Sequence, residues 1–471
     1  EELTDEQVQS YSACMDAAGR LLLPGLMDSH IHVSMTGESI HFVDLKECLS
    51  IEQLVVALKT HISLHSDLSW IVGVNWDQTK LGRYPTRHDI DAVSAGVKVF
   101  LWRACWHIGL ANSAALTACG IDLTKAPEAP PGGVIDFDGT SVTGILRERA
   151  VEVVMREICN KSNEEKKRFI KNGLDMCLRY GLTTVQTNDE GAMGIYQELM
   201  AADMLPIRVF LTPTHTDIFG SGDDARVPTS RLLVDRVKIF SDGSLGAETA
   251  ALRLERDSSA AESERTHKGV LMHKAEAMRC MIAVARSNGY RLEVHAIGDA
   301  AAEQVLLAMR DCGITPSDRA ILTHCQVLGR DLIDLMREMG VIANIQPSFV
   351  PTDMEWASAR LTSDVLEFSY AWRTLMQDGV WCAGGSDAPI ETCSPWVGIY
   401  DAIFRERRTV TFCTDAADGS TDVFRPEECL SFAEALWMYT VGGAFAGNCE
   451  GSLGRIENGT AADFVVVDPS I

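Results

Sequence analysis

Long hydrophobic runs are missing from this chain: no apolar stretch approaches the ~20 residues that a membrane span requires. Basic charge is scarce as well. Lysine and arginine total 42 against 66 acidic residues, a formal net charge of −24. Such a field repels phosphate backbones and anionic lipid, so neither nucleic acid nor a membrane surface is an expected partner. The 14 cysteines include no Cys-x-x-Cys pair, which argues against a thiolate zinc site and, in 471 residues, against a disulfide scaffold. They read instead as small buried apolar residues. No exact internal repeat is present. No signal peptide heads the sequence, which begins Glu1-Glu2-Leu3 without an initiator methionine. The true start is expected to be missing, and the expected location is cytoplasmic.

What remains is an ordinary globular composition, 46% apolar and 23% charged. The length suits one large α/β domain plus a smaller piece, or two domains. Residues 1–20 are polar and acidic, with Tyr11 to Arg20 expected as a short strand. Residues 21–32 read as one buried strand ending in His30-Ile31-His32. Neighbours i and i+2 on a strand face the same way, so both imidazoles would aim at one point, as a shared metal requires.

The next stretch, about 40–162, departs from this rhythm and reads as a large insertion. Ser50-Ile51-Glu52-Gln53 is a capping-box start for a helix, and Ile71–Val74 and Val97–Trp102 are strand candidates. The Pro/Gly/Asp-rich segment from Ala126 to Gly144 reads as a loop.

From Asn163 helices and strands alternate. Counting the first, the strands are residues 21–32, 183–189, 206–211, 236–240, 290–296, 319–325, 341–345 and 380–384. Eight strands, most followed by a helix, have the rhythm of an α/β (β/α)8 TIM-like barrel. An acidic, serine-rich loop is expected at about 254–266. Ser431-Phe432-Ala433-Glu434 caps a late apolar helix, and Asp463–Asp468 is a last strand with nothing after it to pair with. A lone strand is unstable, so it should share a small sheet with the N-terminal segment. The expected domains are therefore 1–20 and 451–471, remnants of a small β-sandwich, around a barrel at 21–450.

Barrel enzymes carry their chemistry at the C-terminal ends of the strands. His30 and His32 stand at strand one, Lys238 on strand four, His295 at strand five, His324 at strand six and Asp387 at strand eight. The chain has only 12 histidines, and four fall at these ends. A buried lysine tends to deprotonate, and a neutral amine can take up carbon dioxide as a carbamate, an anionic ligand able to bridge two metal ions. The alternative is a lysine paired with Asp242 or Asp387. Zinc deaminases offer a competing pattern, but they need a glutamate near the metal, and none stands in an equivalent context here.

This set resembles the metal-dependent amidohydrolase superfamily, and more closely its YtcJ-like group, amidohydrolase family 3. The motifs that carry it are Pro24-Gly25-Leu26-Met27-Asp28-Ser29-His30-Ile31-His32, Val237-Lys238-Ile239-Phe240-Ser241-Asp242-Gly243-Ser244-Leu245-Gly246, His295-Ala296-Ile297-Gly298-Asp299, Thr323-His324-Cys325-Gln326 and Gly385-Ser386-Asp387-Ala388-Pro389. Gly73–Asp77, Arg103–His107 with Asn112, and Gly144–Glu148 look like the group's insertion, and Ala461–Val466 like its closing strand. After Gly246 the chain reads Ala247-Glu248-Thr249, where relatives usually carry Ser-Arg-Thr.

The resemblance implies a metal-dependent hydrolase of non-peptide C–N bonds, with a hydroxide between two metals. His30, His32 and Asp387 would hold one divalent ion, His295 and His324 a second, and carboxylated Lys238 would bridge them. Zinc is the expected ion on ligand type, though iron or manganese could use the same set. Asp387 would take the proton of the attacking oxygen and pass it to the leaving amine, with Lys238 and His324 completing the catalytic set. In the insertion, Trp76, Arg103 and His107 could cap the pocket and hold a carbonyl or aromatic group, or could simply pack. Arg83, Arg87, Arg405, Arg407 and Arg408 read as solvated or paired with local acids. A small-molecule substrate and a homodimer are the implied partners. Two further readings keep the fold: the same metals acting on an ester, lactone or phosphoester, or an inactive barrel scaffold.

Overall fold

The computed structural model describes residues 16–468 apart from 66, 95, 105–107, 131–132, 221–225, 254–267 and 408–422. The expected loop at 254–266, together with His107 and Arg408, therefore lies outside the described residues. The chain is mixed α/β and divides into two compact units. One combines the residues up to Met35 with those from Gly173 onward, and the other is Thr36–Asn172.

In the first unit, strand one is Leu26–Ile31, strand two Leu182–Thr187, strand three Arg208–Leu211 and strand four Arg236–Phe240. Strand five is Arg291–Ala296, six Ile321–His324, seven Ile342–Ile345 and eight Cys382–Gly384. Strands one to three form one parallel ladder and strands four to eight another. Main-chain bonds link the two ladders at both edges. Beyond strand three, Pro213 O accepts from Lys238 N at 2.8 Å. Beyond strand eight, Asp387 N donates to His30 O at 2.7 Å and His32 N to Ala388 O at 2.9 Å.

The helices between strands follow from spacing. Arg330–Met339 buries Leu332, Ile333, Met336 and Met339, which recur one turn apart, and stops at Gly340, whose φ of 65° suits glycine. The late helix starts at the expected capping box, Ser431 accepting from Glu434 N while Glu434 accepts from Ser431 N. Its far end packs Ala444 on Met27 and Phe210, and Ala446 on Ile321 and Ile342.

Strand one is shorter than its sequence suggests. The apolar run breaks at Gly25: Leu21–Pro24 turns away and pairs antiparallel with Phe464–Val467, Leu21 opposite Val467. The final strand thus takes its partner from what reads as the head of strand one. Gly25 allows the corner, since a Cβ there would sit 2.3 Å from Thr183 Oγ1. Of the strand expected from Tyr11 to Arg20, residues 11–15 lie outside the described residues, and 16–20 contain a turn at Ala18-Gly19 and no strand.

The second unit is built on a six-stranded sheet. Its helix Ile51–Leu64 is capped by Ser50 as expected, with Leu54 and Leu58 buried. The segment expected as a loop up to Gly144 contains an antiparallel hairpin, Gly133–Phe137 with Val142–Glu148. Its turn is Asp138-Gly139, where Asp138 Oδ1 accepts from Thr140 N and Ser141 N, each at 2.8 Å. An Asp-Gly pair between apolar residues is a hairpin signal, and the flanking prolines obscured it. Among the described residues, no helix is long and apolar enough to cross a membrane.

Candidate metal centre

Strand one delivers His30 into the interior of the first unit, and the clamp that holds it is local. Asp28 Oδ1 accepts from both His30 N and Ser386 N, each at 3.1 Å, tying strand one to the end of strand eight. Burial pushes the Asp28 carboxyl up to about 7, against the hydrogen bonds from Ser386 and His30. Gly385 makes the approach possible, because a Cβ there would lie 2.7 Å from His30 N. Strand seven adds a second brace: Asn344 Nδ2 donates to Ser29 O at 2.7 Å.

Around this brace the residues at the strand ends converge. His30, His324 and Asp387 are buried, and each offers a ligand atom within 4.8 Å of the others. His32 joins through Asp387, its Nε2 3.2 Å from Oδ1. Lys238 joins through His30, its Nζ 3.4 Å from Nε2. The His295 ring meets the His324 ring edge to face at 4.5 Å between centroids. Its Nε2, however, is turned to Gly243 O at 3.0 Å. All six residues singled out at the strand ends therefore meet, with His30, His324 and Asp387 tightest.

In two further rings it is Nδ1 that is committed. His32 Nδ1 lies 2.7 Å from Asn188 O and His324 Nδ1 2.8 Å from Gln346 Oε1. A nitrogen facing a carbonyl oxygen must carry the proton, so in the neutral form of each ring Nε2 is left with its lone pair, the form a metal binds. The donor set of imidazole and carboxylate fits a divalent transition ion.

Electrostatics support that form for His324 and favour the charged ring for His32. Burial, reinforced by His295, pushes His324 well below the usual histidine range, keeping it neutral. Burial works against the charged His32 ring too, but the hydrogen bond it donates to Asp387 and the charge of that carboxylate outweigh burial and raise the ring overall. Asp387 itself is held well below the carboxylate range, the contacts from His30 and His32 overcoming burial. Burial pushes the Lys238 ammonium down, with Glu293 and Asp387 opposing. His324 and Asp387 also occupy left-handed backbone, φ 83° and 56°, a conformation that non-glycine residues adopt at a cost of about 1–3 kcal/mol.

The structure adds one residue the sequence reading passed over. Glu293 Oε1 lies 3.3 Å from Lys238 Nζ and 2.8 Å from His30 Nδ1, the latter off the axis of the ring N–H. Arg236 stands 3.4 Å from its other oxygen. Burial would raise this carboxyl, but Lys238 and Arg236 carry it well below its ordinary range. The partner of Lys238 is thus Glu293, where Asp242 or Asp387 was the expected alternative. A glutamate thus stands beside the site, held by Lys238 and Arg236. The available signal was the two-residue spacing of Glu293 and His295, which puts both on one face of strand five.

Trp76 and Arg103 belong to the second unit. There Trp76 is buried with Nε1 donating to Leu101 O at 2.8 Å, and Arg103 Nε donates to Gln78 Oε1 at 2.7 Å. Arg83 pairs with Asp89 and Arg87 with Asp91, as expected. Arg405 is not solvated: it is wholly buried, its Nε donating to Phe424 O at 2.8 Å and its guanidinium over the Trp372 ring.

The metal residues open onto a cavity of about 380 Å³ lined by His30, His32, His295, His324 and Asp387, with apolar walls that include Phe240, Leu245, Ile297 and Phe349. Asp353 lies on the same wall, and burial pushes its carboxyl up to about 7, helped by Glu391 and opposed by the Tyr370 hydrogen bond.

Comparison with known proteins gives this geometry a context. The sequence model of the amidohydrolase family matches residues 13–471. The YtcJ protein of Bacillus subtilis (strain 168) is 31% identical over 459 residues, covering 95% of this chain and 84% of that protein. An N-substituted formamide deformylase of Arthrobacter pascens is 24% identical over 491 residues, covering 99% of this chain and 87% of that protein. The crystal structure of an uncharacterized metal-dependent hydrolase from Pyrococcus furiosus superposes with a TM-score of 0.80 at 28% identity, covering 96% of this chain and 88% of that one.

Proposed function

The chain belongs to the amidohydrolase family, and from that premise we propose that it hydrolyses a non-peptide C–N bond, an amide, N-acyl or N-formyl group, with divalent metal. The observation that carries this is the meeting of His30, His324 and Asp387 within 4.8 Å at the ends of strands one, six and eight. The similarity to an N-substituted formamide deformylase supports the C–N choice. In this reading the eight parallel strands form a (β/α)8 barrel, the unit Thr36–Asn172 is an insertion, and the Leu21–Pro24 sheet is the remnant of a β-sandwich.

His30, His32 and Asp387 would hold one ion and His295 and His324 a second, with Lys238 between them as a carbamate. Bound metal lowers the pKa of water toward neutrality and polarises the scissile carbonyl. The chain's own residues do the rest. Asp387 accepts the proton of the attacking water as its oxygen bonds to the acyl carbon, and returns it to nitrogen as the C–N bond breaks. Asn188 and Gln346 hold the His32 and His324 rings in the tautomer the site needs. The apolar walls keep bulk water from the reacting bond.

A second reading has one ion and an unmodified Lys238. The 3.3 Å contact with Glu293 favours it, since an ion-paired ammonium does not take up carbon dioxide. Metal content and intact mass separate the two: about two ions per chain and an added 44 Da, in reach of acid-labile loss, support the bridge. Activity lost in Lys238→Ala and partly restored by short carboxylic acids supports it too, whereas unchanged turnover in that variant removes it. The function itself is tested by a hydrolysis screen of N-acyl and N-formyl amines, esters and lactones with metal-loaded protein. Turnover confined to esters or lactones would move the assignment to C–O bonds, and a folded, metal-free, inert protein would make it a scaffold.

A further inference from the structure

We propose that the cavity at the metal centre selects amides whose far end is a protonated amine on an apolar spacer, a monoacylated diamine being the simplest member, and discriminates against amides that end in a carboxylate. This rests on the hydrolase reading above and names the substrate class of the same site.

Recognition of a free carboxylate calls for arginine or lysine, the residues that meet it as ions. Among the described residues that line the cavity there is neither; its charged lining beyond the metal residues consists of Asp353 and Glu391. Asp353 is placed for a ligand. Tyr370 Oη donates to its Oδ2 at 2.7 Å and Gln326 Nε2 to the same oxygen at 3.1 Å, which fixes the carboxylate and leaves Oδ1 to accept from something else. Both donors are buried, and Tyr370 N is itself bonded to Gln326 O at 2.7 Å, so the support is rigid.

Its distance from the chemistry follows from the helix that carries it. Phe349 stacks on the His324 ring, 6.0 Å between centroids and 12° between planes. Asp353 is four residues further along the same helix, Phe349–Arg360, on the same face. That is one turn, a rise of about 6 Å. An amide reacting beside His324 would therefore reach Asp353 with a short chain, and Phe240, Leu245, Ile297 and Phe349 supply the apolar surface for that chain. The surrounding field has the same sign. The turn that contributes Ser244, Leu245 and Gly246 to the cavity carries Glu248, and the chain as a whole holds a net −24.

The test uses metal-loaded full-length chain and three N-formyl amides of equal length that end in an ammonium, a methyl or a carboxylate group. We expect kcat/KM for the ammonium substrate to exceed that for the carboxylate by about tenfold or more, since like charges juxtaposed in a desolvated site repel strongly. Asp353→Asn should raise KM for the ammonium substrate with kcat largely kept, collapse the discrimination, and be partly reversed by Asp353→Glu; circular dichroism confirms that both variants fold. Equal or faster turnover of the carboxylate substrate, or an unchanged ratio in Asp353→Asn, overturns the proposal. Should none of the three be cleaved, the hydrolase reading has failed on these amides, and calorimetry with the same compounds still decides the pocket. Tighter binding of the ammonium amide, lost in Asp353→Asn, upholds the charge selection, and equal or absent binding overturns it.

Discussion

Glu293 shows how one side chain can organise a site without lining it. It sits against Lys238, Arg236 and His30 at once, and only two cations close by keep so buried a carboxylate ionised. Glu293→Gln would leave Lys238 and Arg236 facing each other without a counter-charge. We expect a loss of about 3–5 kcal/mol in urea unfolding, the range for breaking a buried ion pair from one side. Metal affinity, read by chelator competition, should fall about 10–100-fold as His30 loses its orienting partner. Full retention of metal affinity would show that His30 is positioned by the backbone alone. Asp353 yields a pH prediction. Its folded pKa of about 7 lies above the ordinary 3.8, so between those values the folded state binds the extra proton. Its contribution to stability is therefore present at low pH and lost as pH rises toward about 7. Asp353→Asn lacks that loss, and its stability relative to the parent should rise by roughly 2–4 kcal/mol from pH 4 to pH 8. Parallel curves for the two proteins would contradict the raised carboxyl.

At the level of elements, the decisive contact is the seam between strands one and eight. Asp28 bonds across it, Asp387 N reaches His30 O, and Gly385 leaves room for both. Gly385→Ala puts a methyl 2.7 Å from His30 N and 3.0 Å from His30 Cβ, so the strands must part. A stability loss of about 1–3 kcal/mol is expected, the range for overpacking, together with weaker metal binding because His30 and Asp387 separate. A variant that binds metal like the parent would place the tolerance of the seam elsewhere. Strands four to eight were legible from sequence because each is a short apolar run, and the observed bounds lie within a few residues of those expected. The split at Gly25 was not legible. Leu21–Leu23 is as apolar as a buried strand, and only its pairing with Phe464–Val467 shows that it belongs to another sheet. The Gly133–Glu148 hairpin was missed for a different reason: composition dominated by proline and glycine outweighed a local Asp-Gly turn signal.

For the whole molecule, the candidate metal residues come from strands one, four, five, six and eight, so an ion held by them would cross-link the first unit. Chelation should therefore lower the melting temperature, and restoring zinc, iron or manganese should raise it. With free ion at about 100 times its Kd the stabilisation is about 2.7 kcal/mol. A melting temperature indifferent to chelator, in protein shown to have carried metal, would mean that the ion bridges nothing the fold depends on.

The amino-acid sequence by itself determined the family, the parallel strands and the six residues at their ends, because those depend on local pattern and on motifs a few residues long. Tertiary structure alone decided how the six are used. That Lys238 faces Glu293, that Asn188 and Gln346 hold Nδ1 of His32 and His324, and that Tyr370 and Gln326 hold one oxygen of Asp353 all follow from contacts between segments far apart in the chain. Side-chain partners across neighbouring strands are fixed by register and packing, and neither is encoded in any one stretch of residues.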